Sequence, residues 1–175
     1  MLVDMVVLFV AAFLAFIFFV YFVLPRFIDS GVGAINRKVQ GTKHAAGIEF
    51  LETQSFFPTD QPVAELTAAL RSGVKAADSA PLAMAALYIQ SVENDRIDWA
   101  YGKKLTTSFH AVAMVGVTAN LADGSSQRGV IFAITEGTEV SGIVDGVSAM
   151  RALAHDVEAA IRSVDPAATR IVLGV

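Results

Sequence analysis

The chain has no cysteine. That excludes disulfides, thiolate nucleophiles and iron–sulfur ligation, and the composition fits either side of a membrane. Histidine is scarce: His44, His110 and His155 are the three, and no two form an H-x-x-x-H or H-E-x-x-H pair. No local metal site is signalled. Charged residues make up only 17% of the sequence, and acids exceed bases to give a net charge of −4. An acidic chain is a poor match for a polyanion, so nucleic acid is not expected as a partner. The Walker phosphate loop G-x-x-x-x-G-K-[ST] is absent, and Ser125-Ser126 does not sit in a G-x-S-x-G elbow. Gly31-Val32-Gly33 has no strand before it and lacks the last glycine of a dinucleotide fingerprint.

What the chain does have is one long apolar run. Residues 5–24, MVVLFVAAFLAFIFFVYFVL, contain no charge, glycine or proline. At 1.5 Å per residue a helix of this length covers about 30 Å, the hydrocarbon thickness of a bilayer. Asp4 bounds the run on one side and Pro25-Arg26 on the other, and Tyr21 lies near one end, where an amphipathic ring reaches the headgroups. A cleaved signal peptide calls for a positive leader and a small-residue cleavage site. Here Asp4 is the only charged side chain ahead of the run, and Leu24-Pro25-Arg26-Phe27 is no such site. The expectation is a transmembrane helix within residues 1–26. Phe9, Phe13 and Phe16 coat one side, while Ala11, Ala12 and Ala15 form a small-residue patch. Ala11-xxx-Ala15 lets a second helix approach closely, so these three alanines are the expected partner-helix contact.

Arg26, Arg37, Lys38 and Lys43 follow the run with only Asp29 against them. The positive-inside rule then puts the N-terminus outside and the C-terminal domain in the cytoplasm. The same basic group suits anionic headgroups. Residues 27–47 read as a juxtamembrane connector. Ile28, Val32, Ile35 and Val39 follow helical spacing, interrupted by glycines that weaken a helix.

Residues 48–175 suit one soluble domain. Residues 48–57 alternate around Phe50 and Glu52 and predict a strand. Thr59 or Asp60 then caps a helix starting at Pro62, with Val63, Leu66 and Leu70 on its apolar side and Gly73 at its end. Residues 83–92 read as a strand, with the alanines and Met84 leaving helix open. Residues 97–101, 105–119 and 128–135 read as further strands. Phe109, Ala111, Ala113, Val115 and Val117 share a face, and Asp123-Gly124 makes a hairpin turn. Asp145 is the expected cap of a long helix striped by Val147, Met150, Ala154, Val157, Ile161 and Val164, which Asp165-Pro166 ends. Residues 169–175 add an edge strand or hang free. The expectation is an α+β domain, an antiparallel sheet with two helices on one face.

Chemistry-bearing residues are dispersed. Glu93, Asp95 and Asp98 gather near a turn, and Glu136 and Glu139 stand in a polar loop. Paired carboxylates perform acid–base work or bind a cation, but turns also expose carboxylates for solubility alone. His110 and His155 read as surface residues. Met84, Met114 and Met150 with Trp99 and Phe132 read as core. No catalytic residue, metal ligand or cofactor is assigned. Trp99, Phe109, Phe132 and Met150 are the residues that would line a hydrophobic pocket between sheet and long helix.

In outline the domain resembles the polyketide-cyclase and START-like group, sheet-and-long-helix folds that hold hydrophobic ligands. The whole layout, one span followed by an α+β domain rich in Ala, Val, Gly and Asp, resembles the small accessory subunits of bacterial respiratory and photosynthetic assemblies. The actinobacterial cytochrome bc–oxidase supercomplex is one such assembly. The resemblance is one of layout and transfers no residue roles. It implies a non-catalytic single-pass subunit of a bioenergetic complex in the bacterial inner membrane, its partners being the lipid bilayer and other integral membrane subunits. The alternative is a membrane-tethered domain that binds a lipid or another hydrophobic ligand.

Overall fold

The structure, a computed structural model, describes residues 41–140 and 143–174. The expected transmembrane helix, its Ala11, Ala12 and Ala15 patch and most of the 27–47 connector lie outside the described residues. Among the described residues no helix is long and apolar enough to cross a membrane.

The first described element, α1, is a helix over Gly41–Glu52. It corrects the strand expected from residue 48. Ile48 and Leu51, one helical turn apart, both pack against the core, together with Phe50. Gly47 lets the helix come close, since a Cβ there would stand 2.6 Å from the Val144 Cβ. The alternation around Phe50 and Glu52 fits a strand locally, but packing favours the helix. Thr53 closes α1 by donating its hydroxyl to the Glu49 carbonyl at 2.6 Å, and β1 follows over Thr53–Pro58.

Helix α2 covers Val63–Gly73, with Leu66 and Leu70 buried as their spacing predicts. Its N-cap is corrected: Pro62 holds that position with no side-chain cap. Asp60 makes no such bond, and the Thr59 hydroxyl is taken by Asp165 at 2.7 Å. Strands β2 (Ala86–Val92), β3 (Arg96–Lys103), β4 (Thr106–Asn120) and β5 (Ser126–Gly137) form the expected antiparallel meander. A two-residue pair, β6 (Glu139–Val140) and β7 (Ile143–Val144), stands where a loop was expected. Helix α3 runs over Val147–Val164. Its N-cap is Gly146, with φ +77°, rather than Asp145. The Asp145 carboxylate instead accepts the Ser108 hydroxyl at 2.6 Å. Strand β8, Ile171–Gly174, closes the chain as an edge strand on β1.

The main sheet has the order β2-β3-β4-β5-β1-β8, and every neighbouring pair in it is antiparallel. The domain is therefore α+β. Phe57, Ile97, Trp99, Phe109, Phe132 and Ile134 project from one side of the sheet into a core shared with Leu66 and Leu70 of α2 and Met150, Leu153, Val157 and Ile161 of α3. A smaller cluster on the other side centres on Phe56, Ala119 and Ile131, with Met114, Ile171 and Leu173 against it.

Val117 is a further correction. Phe109, Ala111, Ala113 and Val115 share the helix-facing core, but Val117 belongs to the opposite cluster. The register of β4 on β5 slips between Val115 and Val117. Gly116 at the slip has φ +75°, a backbone that glycine adopts without strain. One extra residue inverts the face of everything after it.

The antiparallel register sorts the connections to two ends of the sheet. At one end lie the start of β1, the start of β2, the β3–β4 turn and the end of β5. The other end carries the β2–β3 and β4–β5 turns and Pro58.

Candidate functional site

Trp99, Phe109, Phe132 and Met150 do come together. They are 0%, 1%, 3% and 0% exposed and belong to one continuous core cluster. Phe109 also stacks on Tyr101 with ring centroids 5.4 Å apart. The Trp99 Nε1–H is buried and finds no acceptor. These side chains are buried in the core between sheet and α3 together with Leu66, Leu153, Val157 and Ile161. Two cavities among the described residues are lined by other groups. One, of about 650 Å³, lies at the β4–β5 end among Thr59, Asp60, Gln61, Arg128 and Asp165. The other, of about 510 Å³, is a shallow apolar groove between α2 and the β2–β3 turn, lined by Val63, Thr67 and Val92 among others.

Of the carboxylates gathered at the β2–β3 turn, Asp98 alone centres a hydrogen-bond network. The Arg96 guanidinium donates to Asp98 through Nε at 3.0 Å and through its terminal nitrogen at 2.8 Å. The Ser91 hydroxyl donates to the same carboxylate at 2.5 Å. The Arg96 hydrogen bonds hold the Asp98 carboxyl below its ordinary range, and the Ser91 bond adds to the effect. Asp95 takes no part in this network with its side chain; its backbone carbonyl accepts the Val115 N–H at 2.7 Å.

His110, on the neighbouring strand, pairs through Nδ1 with the Gln90 amide oxygen at 3.1 Å. Ser91, Asp98 and His110 are thus neighbours, but the serine donates to the aspartate and the histidine is held by a glutamine. That is not the order of contacts that activates a nucleophile, in which the base holds the hydroxyl and the acid holds the base. His155 lies exposed on α3. Among the described residues no three His, Asp or Glu side chains converge as a metal site would require.

An apolar feature escaped the sequence reading. Leu82, Met84 and Leu105 are 80%, 79% and 92% exposed. Met84 is thereby corrected from core to surface, because β2 begins only at Ala86. Leu105 shares the parity of Phe109 and so reads as the next core position of β4. It falls instead in the β3–β4 turn, where β3 has already slipped register between Tyr101 and Gly102. The Lys104 N–H donates to the Pro81 carbonyl at 2.9 Å. That bond ties the loop of Leu82 and Met84 to the turn of Leu105. Single exposed apolar side chains are ordinary, whereas three on adjoining loops form a patch. The signal in the sequence was a leucine directly after Lys103-Lys104, where turn chemistry favours Gly, Asn or Asp.

No family model, curated protein sequence or solved structure was found to match this chain.

Proposed function

We infer that the chain is a single-pass membrane protein and serves as a non-catalytic accessory subunit of a multi-subunit bacterial membrane complex of bioenergetic type. The carrying observation is the charge-free apolar run of residues 5–24, which has the length of a bilayer span. The small-residue patch Ala11, Ala12 and Ala15 gives a partner helix a surface for close approach. The basic flank of Arg26, Arg37, Lys38 and Lys43 favours a cytoplasmic α+β domain. That domain covers and stabilises part of the complex. Its polar groups support this role. The strongest network, Arg96–Asp98–Ser91, is spent on internal hydrogen bonds, and Trp99, Phe109 and Phe132 are buried in the core cluster.

The test is a pull-down of the full chain in mild detergent through a C-terminal tag, followed by a native gel and mass spectrometry. Co-migration with a defined set of integral membrane proteins supports the reading. A monomer that runs alone overturns it. Ala11→Leu with Ala15→Leu is expected to weaken co-migration, because larger side chains hold the helices apart.

A further inference from the structure

We propose that the end of the sheet bearing Leu82, Met84 and Leu105 docks on the surface of an anionic lipid bilayer. The three apolar side chains enter the headgroup–acyl boundary, and Lys103 and Lys104 meet the lipid phosphates. The proposal rests on the membrane-anchored reading above and adds a second, peripheral contact made by the domain itself.

Three observations carry it. The first is the patch. Leu82, Met84 and Leu105 stand out from two loops joined by the Lys104–Pro81 hydrogen bond, each at least 79% exposed. Nothing in the fold requires a leucine at the tip of the β3–β4 turn. A hairpin of this kind is served by polar or glycine residues, and the side chain there makes no core contact.

The second is where α1 packs. Strand β1 begins at this same end, since Gln54 pairs with Ala133 near the end of β5. Helix α1, which leads into it, packs its Leu51 beside Gly137 and its Gly47 beside Val144. Helix α1 therefore packs at the end that carries the patch. Residues 25–40 separate the apolar run from α1. Fully extended, they span about 55 Å, at 3.3–3.6 Å per residue. A domain on so short a tether meets the bilayer at high effective concentration. Contacts too weak to hold a free domain then suffice.

The third is charge. Lys103 and Lys104 directly precede Leu105, and long basic side chains keep their heads at phosphate level while their stems lie along apolar groups. At the same end Glu136 sits on β5, to the far side of β4 from the patch. The opposite end carries Glu93, Asp95 and Asp123 together with Arg96 and Arg128, and no pair of adjacent lysines.

The absence of cysteine makes the test clean, because one introduced thiol is the sole label site. Leu105→Cys, Met84→Cys and, at the opposite end, Asn94→Cys are each made in the full chain and labelled with an environment-sensitive fluorophore. The protein is reconstituted into vesicles of phosphatidylcholine with phosphatidylglycerol. The expected result is quenching of the labels at positions 84 and 105 by lipids brominated on the acyl chain, and quenching of the label at position 94 by aqueous iodide only. Replacing Lys103 and Lys104 by Gln is expected to lower the ratio of docked to undocked domain by about fivefold per lysine in these vesicles, with little change in pure phosphatidylcholine.

Alkaline carbonate extraction of the same vesicles reads the anchor separately. A chain that stays in the membrane while its label at position 105 is open to iodide overturns the docking and leaves the anchor standing. A label at position 105 shielded from both quenchers means a protein covers the patch, and that also overturns lipid docking. A chain that carbonate strips from the vesicles overturns the anchored reading and this proposal with it.

Discussion

At one end of the sheet the β4–β5 turn carries Asp123, Gly124 and Ser125. The Asp123 carboxylate accepts from the Ser125 N–H at 2.8 Å and from its hydroxyl at 2.6 Å, and Gly124 supplies a φ of +82°. At the other end the β3–β4 turn carries Lys103, Lys104 and Leu105, and its leucine is almost wholly in solvent. Both turns join neighbouring antiparallel strands. The first is built from residues that stabilise a turn by themselves. The second joins its strands across a register shift and displays an apolar side chain that contributes nothing to the turn. A position freed from the demands of folding is where a contact with something outside the domain is to be sought.

Variants sharpen this contrast by separating what the fold needs from what each end displays. The largest effect is expected in the core common to both ends. Met150 is fully buried between α3 and the sheet, and Met150→Ala is expected to cost about 2–5 kcal/mol in denaturant unfolding of the full chain in mild detergent. Next comes the polar end, where Thr59 is nearly buried and donates to Asp165. Thr59→Val leaves that carboxylate short of a partner and is expected to cost about 1.5–2 kcal/mol in the same assay.

A pH effect follows from Asp98. Its folded-state carboxyl lies below the ordinary value because Arg96 and Ser91 donate to it. The ionised form is therefore favoured by folding. Its stabilising contribution is complete above the unfolded pKa of about 3.9 and is lost as pH falls through the lower folded value. Unfolding followed from pH 7 downward is expected to show a steeper loss in that acid range for the native chain than for Asp98→Asn. Equal slopes would assign the acid sensitivity to other carboxylates.

The smallest effect belongs to the apolar end. Leu105→Ser is expected to change folding stability by no more than about 0.5 kcal/mol. It should nonetheless weaken the contact with anionic vesicles. A large loss of stability from Leu105→Ser would place the leucine among the structural residues and erase the distinction between the two turns.

Much of the architecture could be read without coordinates. The alternation Phe109, Ala111, Ala113, Val115 and the stripe Met150, Ala154, Val157, Ile161 are local patterns of period 2 and about 3.6. Each element that shows one was placed within a few residues. Errors fell where two local readings competed. Residues 48–52 alternate like a strand but bury Ile48 and Leu51 as a helix. Thr59 and Asp145 look like helix caps, and distant partners, Asp165 and Ser108, engage them instead. Among the candidate residues, Trp99, Phe109, Phe132 and Met150 share one buried core cluster, because each lies on the apolar face of its own element. Leu82, Met84 and Leu105 were not found, since their adjacency depends on a backbone hydrogen bond between two loops.

The sequence by itself determined the apolar run of residues 5–24, the antiparallel meander and the long amphipathic helix, because hydrophobic periodicity acts over a few residues at a time. Only the tertiary structure decided which face Val117 takes, since a single slip at Gly116 exchanges the two sides of β4. It also decided that Leu82, Met84 and Leu105 gather at the end where α1 packs. That outcome depends on the register of strands far apart in the chain, and no local pattern of residues encodes it.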